Sequence, residues 1–132
     1  GALARCPSGW TFSSTAGERC YIYQSAKTSW NGAEAGCTGL GSYSHLTSIT
    51  NNAENVLVYG FCEARRCHIG LNDIASEGTF VWSDGAAMTF TNWSKGEPDN
   101  SGCNQDCVAL KPGGGGLWQD THCAQPRPFI CR

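Results

Sequence analysis

The sequence predicts a small α+β domain, rich in loops and stapled by disulfides. Three observations lead there. Nine cysteines in 132 residues point to an oxidising, extracellular compartment in which bridges persist, and a chain this short gains from such staples. Apolar residues recur at three- or four-residue spacing over 30–40 and again over 51–61, the period of a helix, whereas the remaining apolar content falls in short runs of strand character. Seventeen glycines and five tryptophans beside only 15% charged residues describe aromatic cores pinned among irregular segments. Residues 1–132 are expected to form one domain.

Composition also excludes classes of function. The formal net charge is −2 and no basic run is longer than Arg65-Arg66, so the electrostatic footprint of a nucleic-acid binder is missing. No apolar run approaches the roughly 20 residues of a membrane span, and no membrane insertion is expected. Gly1-Ala-Leu-Ala-Arg5 lacks a signal-peptide pattern, so the chain reads as a processed, secreted mature protein. His45, His68 and His122 are scattered without zinc spacing, and a cysteine nucleophile would need a free, activated thiol beside a histidine. No enzyme is expected.

Taken in order, Cys6-Pro-Ser-Gly-Trp10 and Cys20-Tyr-Ile-Tyr23 predict two strands joined by the polar turn 13–17, with the two cysteines placed to staple the hairpin. Thr28 or Ser29 caps a helix that carries Trp30, Ala33, Cys37 and Leu40 inward and ends near Gly39 and Gly41. Asn51 caps a second helix, with Glu54 reaching back from three residues on, and Val56, Leu57 and Phe61 are its expected core face. His68-Ile-Gly-Leu71, Phe80-Val-Trp82 before the Asp84-Gly85 turn, Val108-Ala-Leu110, Leu117-Trp118 and Phe129-Ile-Cys131 are the further strands. Glycines 113–116 make a turn, since no Lys-Ser or Lys-Thr follows them as a phosphate loop requires. Segment 72–106 is long and poor in regular structure, as functional loops are.

The chemistry concentrates between Lys95 and Asp120. Pro98 fixes its own φ and pushes Glu97 toward an extended conformation, so that Glu97 and Asp99 can present carboxylates to one side of a tight turn. Calcium takes six to eight oxygens, and clustered Asp, Glu, Asn and Gln on a stiff loop supply them. The plain alternative is a turn, because Pro, Asp, Asn, Ser and Gly dominate turns for local reasons.

Across the chain these residues fall into a longer pattern. Cys6-Pro-x-Gly-Trp10, Cys20-Tyr21, Trp30-x-x-Ala33-x-x-x-Cys37, Ile69-Gly-Leu71, Trp82-Ser-Asp-Gly85, Asn92-Trp93, Glu97-Pro98, Cys107-Val-x-Leu110, Trp118-x-Asp120, Cys123 and Phe129-Ile-Cys131 together resemble the C-type lectin-like domain from Cys6 to Cys131. The resemblance implies a C-type lectin fold, with two helices flanking small antiparallel sheets and a long loop that binds calcium and ligand. It implies bridges Cys37–Cys131 and Cys107–Cys123, with Cys6–Cys20 as in the form that has an added N-terminal hairpin. Cys62, Cys67 and Cys103 are left over: either Cys62 and Cys67 pair and Cys103 is the odd thiol, able to link two chains, or Cys103 pairs with one of them.

Carried over by position, the principal calcium and sugar site comprises Glu97, Asp99, Gln105, Gln119 and Asp120, the last also through its carbonyl. Glu97-Pro98-Asp99 is a hybrid of the family's mannose-type Glu-Pro-Asn and galactose-type Gln-Pro-Asp. Gln105 stands where Glu is usual and Gln119 where Asn is usual, so three ionised ligands remain. A second calcium position of some members falls on Asp73, Glu77, Asn100, Gln105 and Asp106; these residues simply facing solvent in a loop is the plain alternative. The implied function is a secreted, calcium-dependent lectin with glycans or glycoproteins of cell surfaces as partners, leaning to mannose-type or broad specificity that includes galactose. A disulfide-linked homodimer through Cys103 would add avidity. The alternative is a non-catalytic protein-binding or structural matrix module without sugar. Asn92-Trp-Ser94 has the glycosylation pattern, but little or no glycan is expected beside a tryptophan under the loop.

Overall fold

The computed structural model describes residues 6–15, 17–41, 43–63, 65–98 and 105–132. Among them, seven strands and two helices follow in order: β1 (Thr11–Ser13), β2 (Arg19–Thr28), α1 (Trp30–Thr38), α2 (Asn52–Phe61), β3 (His68–Asn72), β4 (Val81–Trp82), β5 (Cys107–Leu110), β6 (Trp118–Thr121) and β7 (Arg127–Cys131). The strands lie in the order β1-β2-β7-β3-β5-β6, with β4 on β3. The pairings are antiparallel except at the junction of β3 with β7, where His68 lies opposite Phe129 in parallel, so the sheet is mixed where small antiparallel sheets are predicted. No helix among the described residues is long and apolar enough to cross a membrane.

Ser29 caps α1 by accepting the Gly32 N–H at 3.1 Å, and Trp30, Ala33 and Cys37 face inward as their spacing predicts. Leu40 does not: it lies beyond the helix and is 48% exposed. Asn51 caps α2 by accepting the Glu54 N–H at 2.8 Å, but the helix is turned from its predicted face. Val56 is 60% exposed, and the buried residues are Glu54, Asn55 and Val58, with Leu57 and Phe61 only partly covered. The first strand also differs. Cys6 to Trp10 form a turn closed by the Trp10 N–H on the Pro7 carbonyl, and pairing begins only at Thr11 opposite Tyr21.

α2 turns this way because its buried polar groups are satisfied. The Glu54 carboxylate, fully buried, accepts from the Thr50 N–H at 2.8 Å, the Thr50 hydroxyl at 2.9 Å and the Tyr21 hydroxyl. Arg132 Nη1 lies 3.4 Å from it and 3.8 Å from Asp84. Burial, reinforced by the Glu54 hydrogen bond, raises the Tyr21 hydroxyl above its usual range. Asn55 donates to the Gly116 carbonyl at 3.0 Å and accepts from the Trp118 indole at 2.8 Å. Polar groups that an apolar period would place outside thus anchor the helix to β2, to the glycine turn and to β6.

Two apolar clusters fill the interior. One, around Ile69, Leu71, Trp82, Leu110 and Trp118, includes Val58 of α2; the other, around Trp30, Ala33, Leu46 and Phe129, underlies α1. Four bridges staple them among the described residues: Cys6–Cys20, Cys37–Cys131, Cys62–Cys67 and Cys107–Cys123. The first, second and fourth are those implied by resemblance, and the third decides between the two alternatives for Cys62 and Cys67. Each contributes on the order of 2–4 kcal/mol, chiefly by constraining the unfolded chain.

Replacing Glu54 by Ala would strand the Tyr21 hydroxyl, the Thr50 amide and Arg132 without their shared acceptor. A loss of about 3–5 kcal/mol is expected, measured by guanidinium unfolding with bridges intact; a loss below about 1 kcal/mol would show that the network is not load-sharing in this way.

Candidate functional site

The long irregular segment after β3 is held down by one residue of β6. Trp118 is fully buried, and Trp82, Phe90 and Trp93 meet its ring edge-on at centroid distances of 5.5, 5.8 and 5.9 Å. Its backbone completes the attachment: the Trp118 N–H donates to the Asn92 carbonyl and the Ser94 N–H to the Trp118 carbonyl, both at 2.8 Å. The Asn92 amide donates to the Gly116 carbonyl at 2.8 Å, so the acceptor nitrogen of the glycosylation pattern is engaged internally. A Cβ on Gly116 would come within 2.5 Å of Asn55 Nδ2, and the residue has φ +100°, so this crossing of three segments requires glycine.

The same attachment carries Glu97 to Asp120. After Ser94 the chain turns, closed by the Glu97 N–H on the Ser94 carbonyl at 2.9 Å, and Glu97 Oε2 accepts the Asp120 N–H at 3.3 Å. The Glu97–Pro98 peptide is cis, a feature absent from the sequence reading of an extended Glu97. Gln119 lies half-buried between Trp118 and Asp120 on β6, opposite Ala109, and Gln105 lies half-buried just before β5. Of the five residues of the expected principal site, Glu97 and Asp120 are thus in contact and Gln119 adjoins them. Asp99 lies outside the described residues, as do Asn100 and Cys103.

A second group of carboxylates converges more tightly. Asp73 follows β3 and Asp106 precedes β5; the Asp73 N–H on the Asp106 carbonyl at 3.0 Å ties the two strand ends together. Glu77 comes over them on the next turn, where the Gly78 N–H donates to Asp73 Oδ2 at 2.8 Å. One oxygen from each of Asp73, Glu77 and Asp106 lies within 4.8 Å of the others. Asp73 Oδ1 and Asp106 Oδ1 are buried and without a hydrogen-bond partner.

The crowding shows in the proton affinities. Hydrogen bonding with Asp73, then desolvation and the charges of Asp73 and Asp106, push Glu77 up to about 7. Asp106 is also raised, first by burial and then by Asp73. A site that holds protons this readily lacks positive charge. Its donors are hard oxygens, two of them buried and unused, and this set fits a calcium ion rather than a thiolate- or imidazole-seeking metal. Three of the five residues expected at the second calcium position are therefore brought together, with Gln105 adjoining Asp106 in sequence.

His68 and His45 are engaged elsewhere. His68 is buried with Nε2 2.8 Å from the Thr28 carbonyl, and burial brings it down to about 4, so it is neutral. His45 Nδ1 lies 2.6 Å from Glu34 Oε2, and Glu34 Oε1 also accepts the Leu46 N–H at 2.9 Å, a link between α1 and the following segment.

Comparison with known proteins agrees with this fold. Residues 26–132 match the Lectin C-type domain family. The galactose-specific lectin nattectin of Thalassophryne nattereri is 33% identical over 98% of this chain and 81% of its own length. The alpha-N-acetylgalactosamine-specific lectin of Patiria pectinifera is 36% identical over 97% of this chain and 82% of its own length. The chain spans only 34% of the low affinity immunoglobulin epsilon Fc receptor of Mus musculus, at 34% identity over 89% of this chain. Among solved structures, the C-type lectin CEL-I from Cucumaria echinata aligns with a TM-score of 0.87 at 29% identity, covering 96% of this chain and 95% of that one. A calcium-independent type II antifreeze protein aligns with a TM-score of 0.86 at 26% identity, covering 96% and 92%.

The raised Glu77 carboxyl fixes the sign of a pH effect. A carboxyl with a folded pKa above its unfolded value weakens the fold progressively as pH rises from its ordinary 4.5 to about 7, and fully above that. In excess EDTA, Glu77→Gln should therefore raise Tm at about pH 8 and leave it nearly unchanged at about pH 5. Equal shifts at both pH values in thermal melts would contradict the crowding.

Proposed function

The chain belongs to the Lectin C-type domain family, and on that premise we propose that it is a calcium-dependent carbohydrate-binding module of the extracellular space. Two relatives are named as lectins, one specific for galactose and one for alpha-N-acetylgalactosamine. The observation that carries the calcium part is the pair of orphaned, buried oxygens, Asp73 Oδ1 and Asp106 Oδ1, beside Glu77. The carbohydrate part is supported by the relatives named for galactose and N-acetylgalactosamine and by the meeting of Glu97 with Asp120.

On this reading Glu97, Asp99, Gln105, Gln119 and Asp120 hold the principal ion and the sugar, and Asp73, Glu77, Asn100, Gln105 and Asp106 hold a second ion. A bound calcium ion supplies a positive centre to which two vicinal sugar hydroxyls coordinate. Ionised Glu97 and Asp99 accept hydroxyl protons, whereas Gln105 and Gln119 can each donate or accept. One lone pair of Glu97 is already committed to the Asp120 N–H, which orients the carboxylate. Gln119 is one methylene longer than the usual Asn, which weakens the principal site without removing a charge.

With two acceptor-only groups flanking one hydroxyl that has a single proton, one charge-assisted bond, on the order of 1.5–3 kcal/mol, goes unmade. Specificity is accordingly broad and affinity modest, and galactose-type sugars fall within that range along with mannose-type. The four bridges use eight of the nine cysteines. The proposed homodimer link therefore falls to Cys103, outside the described residues.

Binding to immobilised glycans should vanish in excess EDTA and fade toward about pH 4–5 as the carboxylates take up protons. Glu97→Gln should weaken it about tenfold or more at neutral pH, read by glycan array and calorimetry. Undiminished binding in EDTA would sink the mechanism, and no glycan bound with or without calcium would move the chain to a non-sugar interaction module.

Calorimetric titration with free monosaccharides tests the hydroxyl arithmetic separately. Galactose and mannose should differ by less than about tenfold, or 1.4 kcal/mol, and Asp99→Asn should shift preference toward mannose by restoring a donor. A larger preference in the unmodified protein would overturn it.

A further inference from the structure

A groove of 240 Å³ lies between the end of β2, the loop from α2 to β3 and the start of β7, lined by Lys27, Arg65, Arg66, Pro126, Arg127 and Pro128. Four of these six side chains are cations and none is acidic. Among the described residues, none of the four makes an ion pair with a carboxylate. None of Glu97, Asp120, Asp73, Glu77 or Asp106 lines the groove, so it is separate from the acidic sites above.

The cations are held in place from three directions. Cys62–Cys67 closes the short loop that bears Arg65 and Arg66, and the Arg65 N–H donates to the Cys62 carbonyl at 3.1 Å. Thr28, next to Lys27, lies opposite Arg127 where β2 pairs with β7. Prolines on both sides fix the backbone around Arg127. Its guanidinium is half-buried: Nη2 donates to Thr121 Oγ1 at 3.3 Å, while Nε is buried with no partner. Burial first, and then the charge of Arg66, bring Arg127 down to about 10, so it remains a cation at neutral pH with a like charge beside it.

We propose that this groove binds a tetrahedral oxyanion, the sulfate or phosphate ester of an acidic glycan, without calcium. Guanidinium groups present forked donors that match such an oxyanion in bidentate fashion, and the anion relieves the repulsion among four gathered cations. Pro126 and Pro128 give the groove apolar walls for the face of a sugar ring, and it has no aromatic residue on which a nucleic-acid base could stack. The volume is below the roughly 300–1,000 Å³ of a drug-sized pocket and suits one charged group and its ring. That the oxyanion is carried on a glycan rests on the carbohydrate-binding reading; the oxyanion site itself does not.

The test uses the full chain in excess EDTA, which silences the calcium-dependent sites. A fluorescent, fully sulfated heparin octasaccharide is titrated by anisotropy, next to its desulfated counterpart and a single-stranded DNA oligonucleotide. Saturable binding that weakens with added NaCl is expected, with competition by inorganic sulfate or phosphate distinguishing which ester is preferred. The double variant Arg65→Ser/Arg66→Ser, at an exposed and a half-buried position, should weaken it about tenfold or more with little change in Tm, Arg127→Lys should weaken it through loss of the fork, and Glu97→Gln should leave it unaltered. Absence of binding, equal binding of the desulfated octasaccharide, equal or tighter binding of the DNA, or an unaffected double variant would each overturn the proposal. Loss of sugar binding in calcium with oxyanion binding intact would instead count against the function proposed above alone.

Discussion

The burial of Trp118 is the constraint from which the geometry of the acidic sites follows. Segment 73–98, irregular apart from β4, exposes backbone groups that no regular ladder satisfies, and it stays folded only if something repays its ordering. Trp118 does this twice. Its ring takes three edge-on aromatic neighbours from that segment, each contributing about 0.5–1.5 kcal/mol beyond area burial, and its backbone satisfies Asn92 and Ser94. Its buried indole N–H donates to Asn55 on α2. Because Gln119 and Asp120 follow directly on the same strand, the fastening that orders the segment also sets the distance at which Glu97 meets Asp120.

Much of this was legible in the sequence, and the misses have physical causes. The pattern of Trp30, Ala33 and Cys37 gave the buried face of α1 because all three are apolar and need no partner. The apolar period misses the face of α2 because Glu54 and Asn55 count in it as surface residues, yet Glu54 is satisfied indoors by nearby Thr50 and remote Tyr21, and Asn55 by remote Gly116 and Trp118. Leu40 followed the helical spacing but lies past the end of the helix. The Asp73, Glu77 and Asp106 cluster could be named by resemblance, whereas its two unpartnered oxygens depend on strand register and have no linear signal. The basic groove was least visible: only Arg65 and Arg66 are adjacent, and Lys27 and Arg127 are brought to them by β2–β7 pairing and by a five-residue disulfide.

Net charge is a poor guide to such a molecule. A formal value of −2 conceals an acidic cluster that raises its own proton affinity and a separate groove in which cations gather without counter-charge. Like charges are held together against repulsion in both. The fold tolerates them because its core, four bridges and the Glu54 network supply stability elsewhere, and binding sites commonly carry strain of this kind.

The place of β7 in the sheet has a consequence for how the chain is made. It is the last strand in sequence, yet it lies between β2 and β3, so the centre of the sheet cannot close until the whole domain has left the ribosome. Cys62–Cys67, Cys6–Cys20 and Cys107–Cys123 span 5, 14 and 16 residues, and can form as local loops during synthesis, whereas Cys37 must wait across 94 residues for Cys131. Long-range closure of this kind is slow, and during the wait Cys37 is a thiol among earlier cysteines with which it could mispair. The late strand thus makes productive maturation depend on disulfide exchange as well as on oxidation.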